Sequence, residues 1–245
     1  MDYVEWAPHY ARIQREFGFT MDRERRAADR LVALLPPSAR STPLSRVAAR
    51  LSGRDAIVVG LAPRARAPPV WRLPPSLPPP AIVAADGAAA RCLDAGLVPE
   101  VVVTDLDGPV PSEVLANARG ALVVVHAHGD NVPQLDRWVP EFAGELAGSW
   151  AGSPTDELLD VGGFTDGDRA AFLSHHVGAR RLLLWGFEFD EVDEPTPEAG
   201  AQKRAKLRWA RDLLALLALG ATPVLTWRSD GTIVPYGAVN GPATQ

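Results

Sequence analysis

Asp86, Asp105 and Asp107 are the residues of this 245-residue chain whose types and spacing most readily do chemistry. Asp86 stands in Ala84-Ala85-Asp86-Gly87, and Asp105 follows nineteen residues later in Thr104-Asp105-Leu106-Asp107-Gly108. Each acidic cluster ends a short apolar run, Ala81 to Ala85 for the first and Val101-Val102-Val103 for the second. Apolar runs without alternation, bounded by Gly and Pro, suit buried parallel strands. Two adjacent parallel strands would deliver three carboxylates to one edge of a sheet, where open α/β folds place their ligands. Hard oxygen donors grouped this way suit Mg²⁺, which binds through one or two carboxylates plus substrate phosphates, so the pattern points to phosphate chemistry. Taken singly, Asp86 could cap a following helix, and Asp105 with Asp107 could form an Asx turn into Gly108. Taken together, the three repel one another unless a cation lies between them, and clustered carboxylates of this kind mark functional sites.

Three further groups carry chemistry. In His126-Ala127-His128-Gly129-Asp130-Asn131 the two histidines would point the same way from a strand end, because the side-chain period is two. No third soft ligand accompanies them, which favours contacts to an anionic or heteroaromatic substrate over a transition metal. Hydrogen bonds that knit the loop together are the plainer use, for Asn131 among others. Gly162-Gly163-Phe164-Thr165-Asp166-Gly167-Asp168-Arg169 packs glycines around polar side chains ahead of a helix. Backbone can approach a phosphate there, with Arg169 adding a positive charge, although Thr165 or Asp166 could equally cap the helix. Lys203, Arg204, Lys206, Arg208 and Arg211 crowd one helix; Arg208 and Arg211 read as a solvated face, while Lys203 and Lys206 could reach a triphosphate.

The elements that must position these groups alternate along the chain. Trp6, Tyr10, Ile13 and Phe17 recur at helical spacing as a docking face, and Gly18 stops that helix. Thr20 or Asp22 starts a second helix carrying Ala27, Leu31 and Leu34 up to Pro36-Pro37, and a third is expected from Pro43 to Leu51. Strands are expected at Ala56–Val59, Ile82–Ala85, Val101–Val103, Ala121–Val125, Leu182–Trp185 and Val224–Trp227. Helices are expected within Gly87–Gly96, from Pro111 to Ala118, at Leu135–Val139, in Phe164–His176 after a loop, and from Ala201 to Leu219 before Gly220. Pro63 to Pro80 holds eight prolines and reads as an irregular surface loop. The result is an α/β fold: a mostly parallel, three-layer, Rossmann-like sheet, with residues 1–52 as an N-terminal helical segment packed on an α/β catalytic domain of 53–245.

Composition excludes several classes. A net charge of −5 gives no global basic field for nucleic acid. One cysteine, Cys92, rules out an intrachain disulfide and a cysteine-cluster metal site. The charged first thirty residues do not resemble a signal peptide, and the apolar stretch Leu213–Leu219 is too short to cross a bilayer, so a soluble cytoplasmic protein is expected.

Ala-Asp-Gly at 85–87, Val-Thr-Asp-Leu-Asp-Gly at 103–108, His-Ala-His-Gly-Asp-Asn at 126–131 and Gly-Gly-Phe-Thr-Asp-Gly-Asp-Arg at 162–169 resemble, in order and spacing, the archaeal 6-hydroxymethyl-7,8-dihydropterin diphosphokinases. The segment beginning Asp2-Tyr3-Val4-Glu5-Trp6 is similar as well, so the resemblance covers nearly the whole chain. It implies a fold like that of thiamine diphosphokinase and a reaction of ATP with 6-hydroxymethyl-7,8-dihydropterin giving AMP and the pterin diphosphate, on the way to folate or tetrahydromethanopterin. It implies Mg²⁺ held against ATP by Asp86, Asp105 and Asp107; beside it, the residues themselves suggest catalysis by Asp105 and Asp107, a proton acceptor among His126, His128 and Asp130, and Arg169 neutralising the transferred group. Asp86, Gly87, Gly162, Gly163, Thr165, Asp166 and Lys203 would hold the nucleotide. A homo-oligomer stays open. The family's glycine-rich loop after the first strand is reduced here to Gly60-Leu61-Ala62-Pro63-Arg64-Ala65-Arg66, where Arg64 or Arg66 would take over phosphate contacts. The alternatives are a thiamine diphosphokinase, whose Asp-Phe-Asp-Ser block is replaced here by Asp105-Leu106-Asp107-Gly108, or a metal-dependent glycosyltransferase using a nucleotide-sugar. A nucleotide-binding module without turnover is the non-enzyme reading.

Overall fold

The structure is a computed structural model that describes residues 3–62, 79–189, 196–228 and 230–237. The prolines of 63–78, Arg64, Arg66 and Asp190 therefore lie outside the described residues.

Three helices open the chain: α1 (Tyr3–Phe17), α2 (Met21–Leu34) and α3 (Pro43–Leu51). Gly18 ends α1 at φ 73°, a left-handed conformation in which glycine carries no Cβ penalty, and Thr20 is the N-cap of α2. Then β1 (Asp55–Val59), β2 (Ala81–Ala85), α4 (Ala88–Asp94), β3 (Val101–Thr104), α5 (Val110–Ala118), β4 (Leu122–Ala127) and α6 (Val132–Trp138) alternate. They are followed by β5 (Leu146–Trp150), β6 (Leu158–Leu159), α7 (Asp166–His176), β7 (Arg181–Trp185), α8 (Pro197–Leu217), β8 (Val224–Trp227) and β9 (Ile233–Pro235).

The nine strands form one sheet in the order β6-β5-β4-β3-β2-β1-β7-β8-β9, parallel throughout except for β9 against β8. From β1 the chain steps outward to β6, then returns to lay β7 on the other flank of β1. That reversal opens a crevice at the carboxyl ends of β1 and β7, the usual ligand position of an open α/β sheet. Helices cover both faces. Trp6, Tyr10, Ile13, Val47, Phe172 and Leu214 lie in the cluster on one face, and Ala27, Leu31, Cys92, Ala116 and Leu135 in the cluster on the other. Residues 3–51 therefore contribute to both faces, α1 and α3 to one and α2 to the other.

Several boundaries differ from the sequence expectation, each for a local reason. Helix α5 begins at Val110 because Pro111 sits in its first turn, where its missing N–H costs nothing. Helix α8 begins at Pro197, with Thr196 Oγ1 accepting from Ala199 N at 3.2 Å. Helix α6 lies earlier than expected, from Val132. Strands β5, β6 and β9 were not expected from sequence. β5 reads Leu-Ala-Gly-Ser-Trp, a poor strand former by composition. Its glycine is demanded by packing: a Cβ on Gly148 would stand 2.4 Å from Leu158 Cδ2 and 2.9 Å from Leu35 Cδ1.

Candidate active site

Parallel pairing of Ala85 with Val103 sets the ends of β2 and β3 side by side, so Asp86 and Asp105 leave the sheet together. Asp86 N donates to Val103 O at 2.8 Å, which fixes the turn after β2. Asp86 and Leu106 both adopt positive φ, 47° and 67°, uncommon for residues with a Cβ and a mark of functional turns. The second turn is held from inside: Leu106 N donates to Thr104 Oγ1 at 2.9 Å, and the Leu106 side chain is buried in the core. Asp107 N donates to Asp105 Oδ1 at 3.2 Å, the expected Asx turn. One ligand oxygen from each of Asp86, Asp105 and Asp107 falls within 4.8 Å of the others. Gly108 is what permits this, because a Cβ there would stand 2.2 Å from Asp86 Oδ2.

The three carboxylates could hold a metal ion, and their electrostatics would favour a cation between them. Burial first, and then the charges of Asp105 and Asp86, push Asp107 upward. Asp105 is held low: burial opposes its ionisation, but the hydrogen bond and charge of His128, with the charge of Arg169, outweigh it. Three hard oxygen donors without a thiolate or imidazole among them fit a Mg²⁺-type ion. Asp166 adds a fourth carboxylate to the cleft, raised well above its ordinary value by burial and by Asp105.

Around this acidic edge lies a cleft of about 370 Å³ at the strand-order reversal. Its walls include Gly60 and Ala62 after β1, Gly186 and Phe187 after β7, and Lys203 and Lys206 of α8. Arg91 Nη1 donates to Gly60 O at 3.2 Å and to Ala62 O at 3.1 Å, holding the residues that directly follow β1.

The other expected site residues fall at graded distances from the triad. His128 Nε2 lies 3.4 Å from Asp105 Oδ2, at the triad itself. His126 sits behind it, 3% exposed, with Nδ1 3.1 Å from Ser149 Oγ, and burial pushes its imidazole well below the ordinary range. Asn131 stitches this loop down, donating to Asp105 O and His126 O, both at 2.8 Å, and accepting from His128 N at 3.0 Å. Thr165 and Asp166 line the cleft, whereas Gly162, Gly163 and Arg169 are not among its walls. Gly162 and Gly163 take positive φ, 86° and 93°, and a Cβ on Gly163 would meet Arg169 Cα at 2.4 Å. Thr165 and Asp168 form a capping box at the start of α7. Arg169 is buried, donating to Asp166 Oδ1 at 3.0 Å and Phe164 O at 3.1 Å, so its charge steadies the loop. Gly87 follows Asp86 under Pro109, whose Cδ would stand 2.8 Å from an added Cβ.

Glu113 was not anticipated. It is fully buried on α5 beside Asp86 and Thr104, and burial, then the charge and hydrogen bond of Asp86, push it up to about 9. It stands behind the Asp86 carboxylate in surroundings that disfavour its charged form. Its signal was periodicity: Val110, Glu113, Ala116 and Asn117 occupy one buried helical face, where an acid has no solvation role.

Residues 37–194, which carry the acidic turns, the histidine loop and the capped glycine loop, match a family model described as 6-hydroxymethylpterin diphosphokinase MptE-like. The chain belongs to the MptE-like family. Curated relatives of the family carry the name 6-hydroxymethyl-7,8-dihydropterin pyrophosphokinase. The one from Methanothermobacter thermautotrophicus is 36% identical over 87% of this chain and 94% of its own length. That from Pyrococcus furiosus is 36% identical over 89% and 94%, and that from Methanocaldococcus jannaschii 33% identical over 77% and 80%. The MptE-like match begins inside the linker before α3, so α1 and α2 lie outside it, while the alignments to the curated relatives cover most of the chain.

Proposed function

We propose that this chain transfers a diphosphoryl group from ATP to the hydroxymethyl oxygen of 6-hydroxymethyl-7,8-dihydropterin, releasing AMP. The observation that carries the reading is the convergence of Asp86, Asp105 and Asp107 in a cleft walled opposite by Lys203 and Lys206, within a family of that name. Asp86, Asp105 and Asp107 would hold Mg²⁺, which when bound neutralises phosphate charge and orients the β-phosphorus. Asp166, kept in place by Arg169, closes the acidic edge from the α7 side. His128 accepts the proton of the attacking hydroxyl, and the interior His126 backs its ring at 6.4 Å between centroids. Phe164, Phe187 and Phe189 give the cleft an aromatic wall against which a heteroaromatic ring can stack. Gly60, Leu61 and Ala62 line the cleft after β1, where their backbone would face the nucleotide.

The test is AMP release from Mg·ATP with and without 6-hydroxymethyl-7,8-dihydropterin, alongside thiamine and a no-acceptor control. Pterin-dependent AMP is the expected result. AMP with thiamine alone would replace the acceptor, and a folded, ATP-binding protein that releases none would overturn the reading in favour of a binding module.

A further inference from the structure

Of the 25 Lys and Arg residues in the chain, two are lysine, Lys203 and Lys206. They stand one turn apart on α8, and both line the cleft that holds the acidic triad. Lys203, Lys206, Leu207 and Ala210 form a single stripe at i, i+3, i+4 and i+7, all four facing the cleft. A solvated helix face does not account for two cations on the stripe whose lower half is apolar. The solvated arginine of the same helix lies elsewhere, with Arg208 paired to Glu16 of α1.

Lys203 and Lys206 differ from the nearby arginines in their pairing. Among the described residues neither makes an ion pair or a hydrogen bond, whereas the arginines nearest the cleft are occupied, Arg169 by Asp166 and Arg91 by backbone carbonyls. The charge of Lys206 reaches Asp107 across the cleft. Lys206 is half-buried and Lys203 exposed, which orders them from floor to mouth. A polyphosphate entering this cleft brings several negative charges to a lining that already includes Asp86, Asp105, Asp107, Asp166 and Glu188. Two ammonium groups with no partner among the described residues, lining the same cleft, are the complement it needs. An ammonium is a compact charge on a flexible stem that can follow a moving phosphorus, where a guanidinium fork would fix one planar arrangement.

We propose that Lys206 is a further catalytic residue, its ammonium contacting the diphosphoryl group in transfer, with Lys203 holding the outer phosphate. The proposal rests on the ATP-dependent reading above. In the step, the hydroxymethyl oxygen forms a bond to the β-phosphorus as the bond from that phosphorus to the α,β-bridging oxygen breaks. The bonding pair leaves on AMP, and the hydroxyl proton passes to His128. Negative charge grows on the bridging oxygen and is spread over the β-phosphoryl oxygens, and Lys206 is placed to meet it.

The experiment compares the parent chain with Lys206→Gln, Lys206→Arg and Lys203→Gln in steady-state AMP release and in calorimetric Mg·ATP binding. Lys206→Gln is expected to lower kcat on the order of a hundredfold with a much smaller change in ATP affinity. Lys206→Arg should restore part of kcat, which a folding defect would not allow. Lys203→Gln should raise the KM for ATP and leave most of kcat. An active parent matched by Lys206→Gln to within about threefold in kcat, roughly 0.7 kcal/mol, overturns the lysine assignment alone. A parent that releases no AMP with any acceptor overturns the functional reading and the catalytic role of Lys206 with it.

Discussion

A methyl group at position 108 would stand 2.2 Å from one carboxylate oxygen of Asp86 and 2.5 Å from the other, well inside contact distance. Position 108 therefore controls the site without contributing a functional group of its own. The prediction is specific to this geometry. Gly108→Ala should push the Asp86 carboxylate away from Asp105 and Asp107, while the core packing of Leu106 two residues earlier remains. Activity is expected to fall on the order of a hundredfold, as in Asp105→Asn, because either change spoils the same cluster of oxygens. Circular dichroism melts should show the Gly108→Ala chain still folding cooperatively. Near-parental turnover in Gly108→Ala would mean that Asp86 is not needed where it lies. Full turnover in Asp105→Asn would remove the metal assignment altogether.

Helix α7 shows how an element, more than a single residue, carries the site. Asp168 is fully buried and accepts from Phe164 N and Thr165 N, both at 2.7 Å, and from the Thr165 hydroxyl. These bonds clamp the loop that presents Phe164, Thr165 and Asp166 to the cleft. Asp168→Ala leaves buried donors without an acceptor as well as removing a cap, a cost of roughly 3 kcal/mol. Chemical denaturation should show that loss, and the KM for ATP should rise because the loop and Asp166 lose their anchor. An unchanged KM in a destabilised Asp168→Ala chain would separate the loop from the site. How far the elements were legible depends on what each sequence had to satisfy. The runs Ala81–Ala85 and Val101–Val103 are buried on both sides and so read as strands, which put the acidic turns where the structure has them. Ala147-Gly148-Ser149 in β5 was opaque because its residues were selected by contact with Leu158 and Leu35 and by the Ser149–His126 hydrogen bond. Glu113 was hidden for a related reason: its role comes from Asp86, a residue 27 positions earlier that sequence order does not place beside it. The sequence of the glycine pair at 162–163 suggests ligand-binding backbone but does not display its other constraint, the positive φ angles and tight packing against Phe172 and Arg169 that shape the turn into α7.

On the scale of the whole molecule, the cleft exists because the sheet is two runs of strands joined along β1 and β7. That join is fastened at the end opposite the cleft. Asp55 pairs in register with Arg181, and its fully buried carboxylate accepts from Arg180 Nε at 2.9 Å and from the Arg181 guanidinium. Burial opposes the ionisation of Asp55, but the two arginine hydrogen bonds and charges overcome it and hold the carboxyl below its ordinary value. A depressed folded-state value means that the unfolded chain binds the proton more tightly. The stabilisation is therefore present above the unfolded carboxyl's pKa and is lost as pH falls through the lower folded value. Asp55→Asn should melt below the parent at pH 7, and the gap between the two should close as the pH drops below about 4. Because Asp55 lies at the opposite end of β1 from Gly60 and the acidic edge, kcat at a temperature where both chains are folded should be the same. A melting gap that persists at low pH would show that Asp55 acts through packing and not through its charge. A fall in kcat without a fall in stability would show that the β1–β7 join sets the shape of the cleft, in addition to keeping the sheet in one piece.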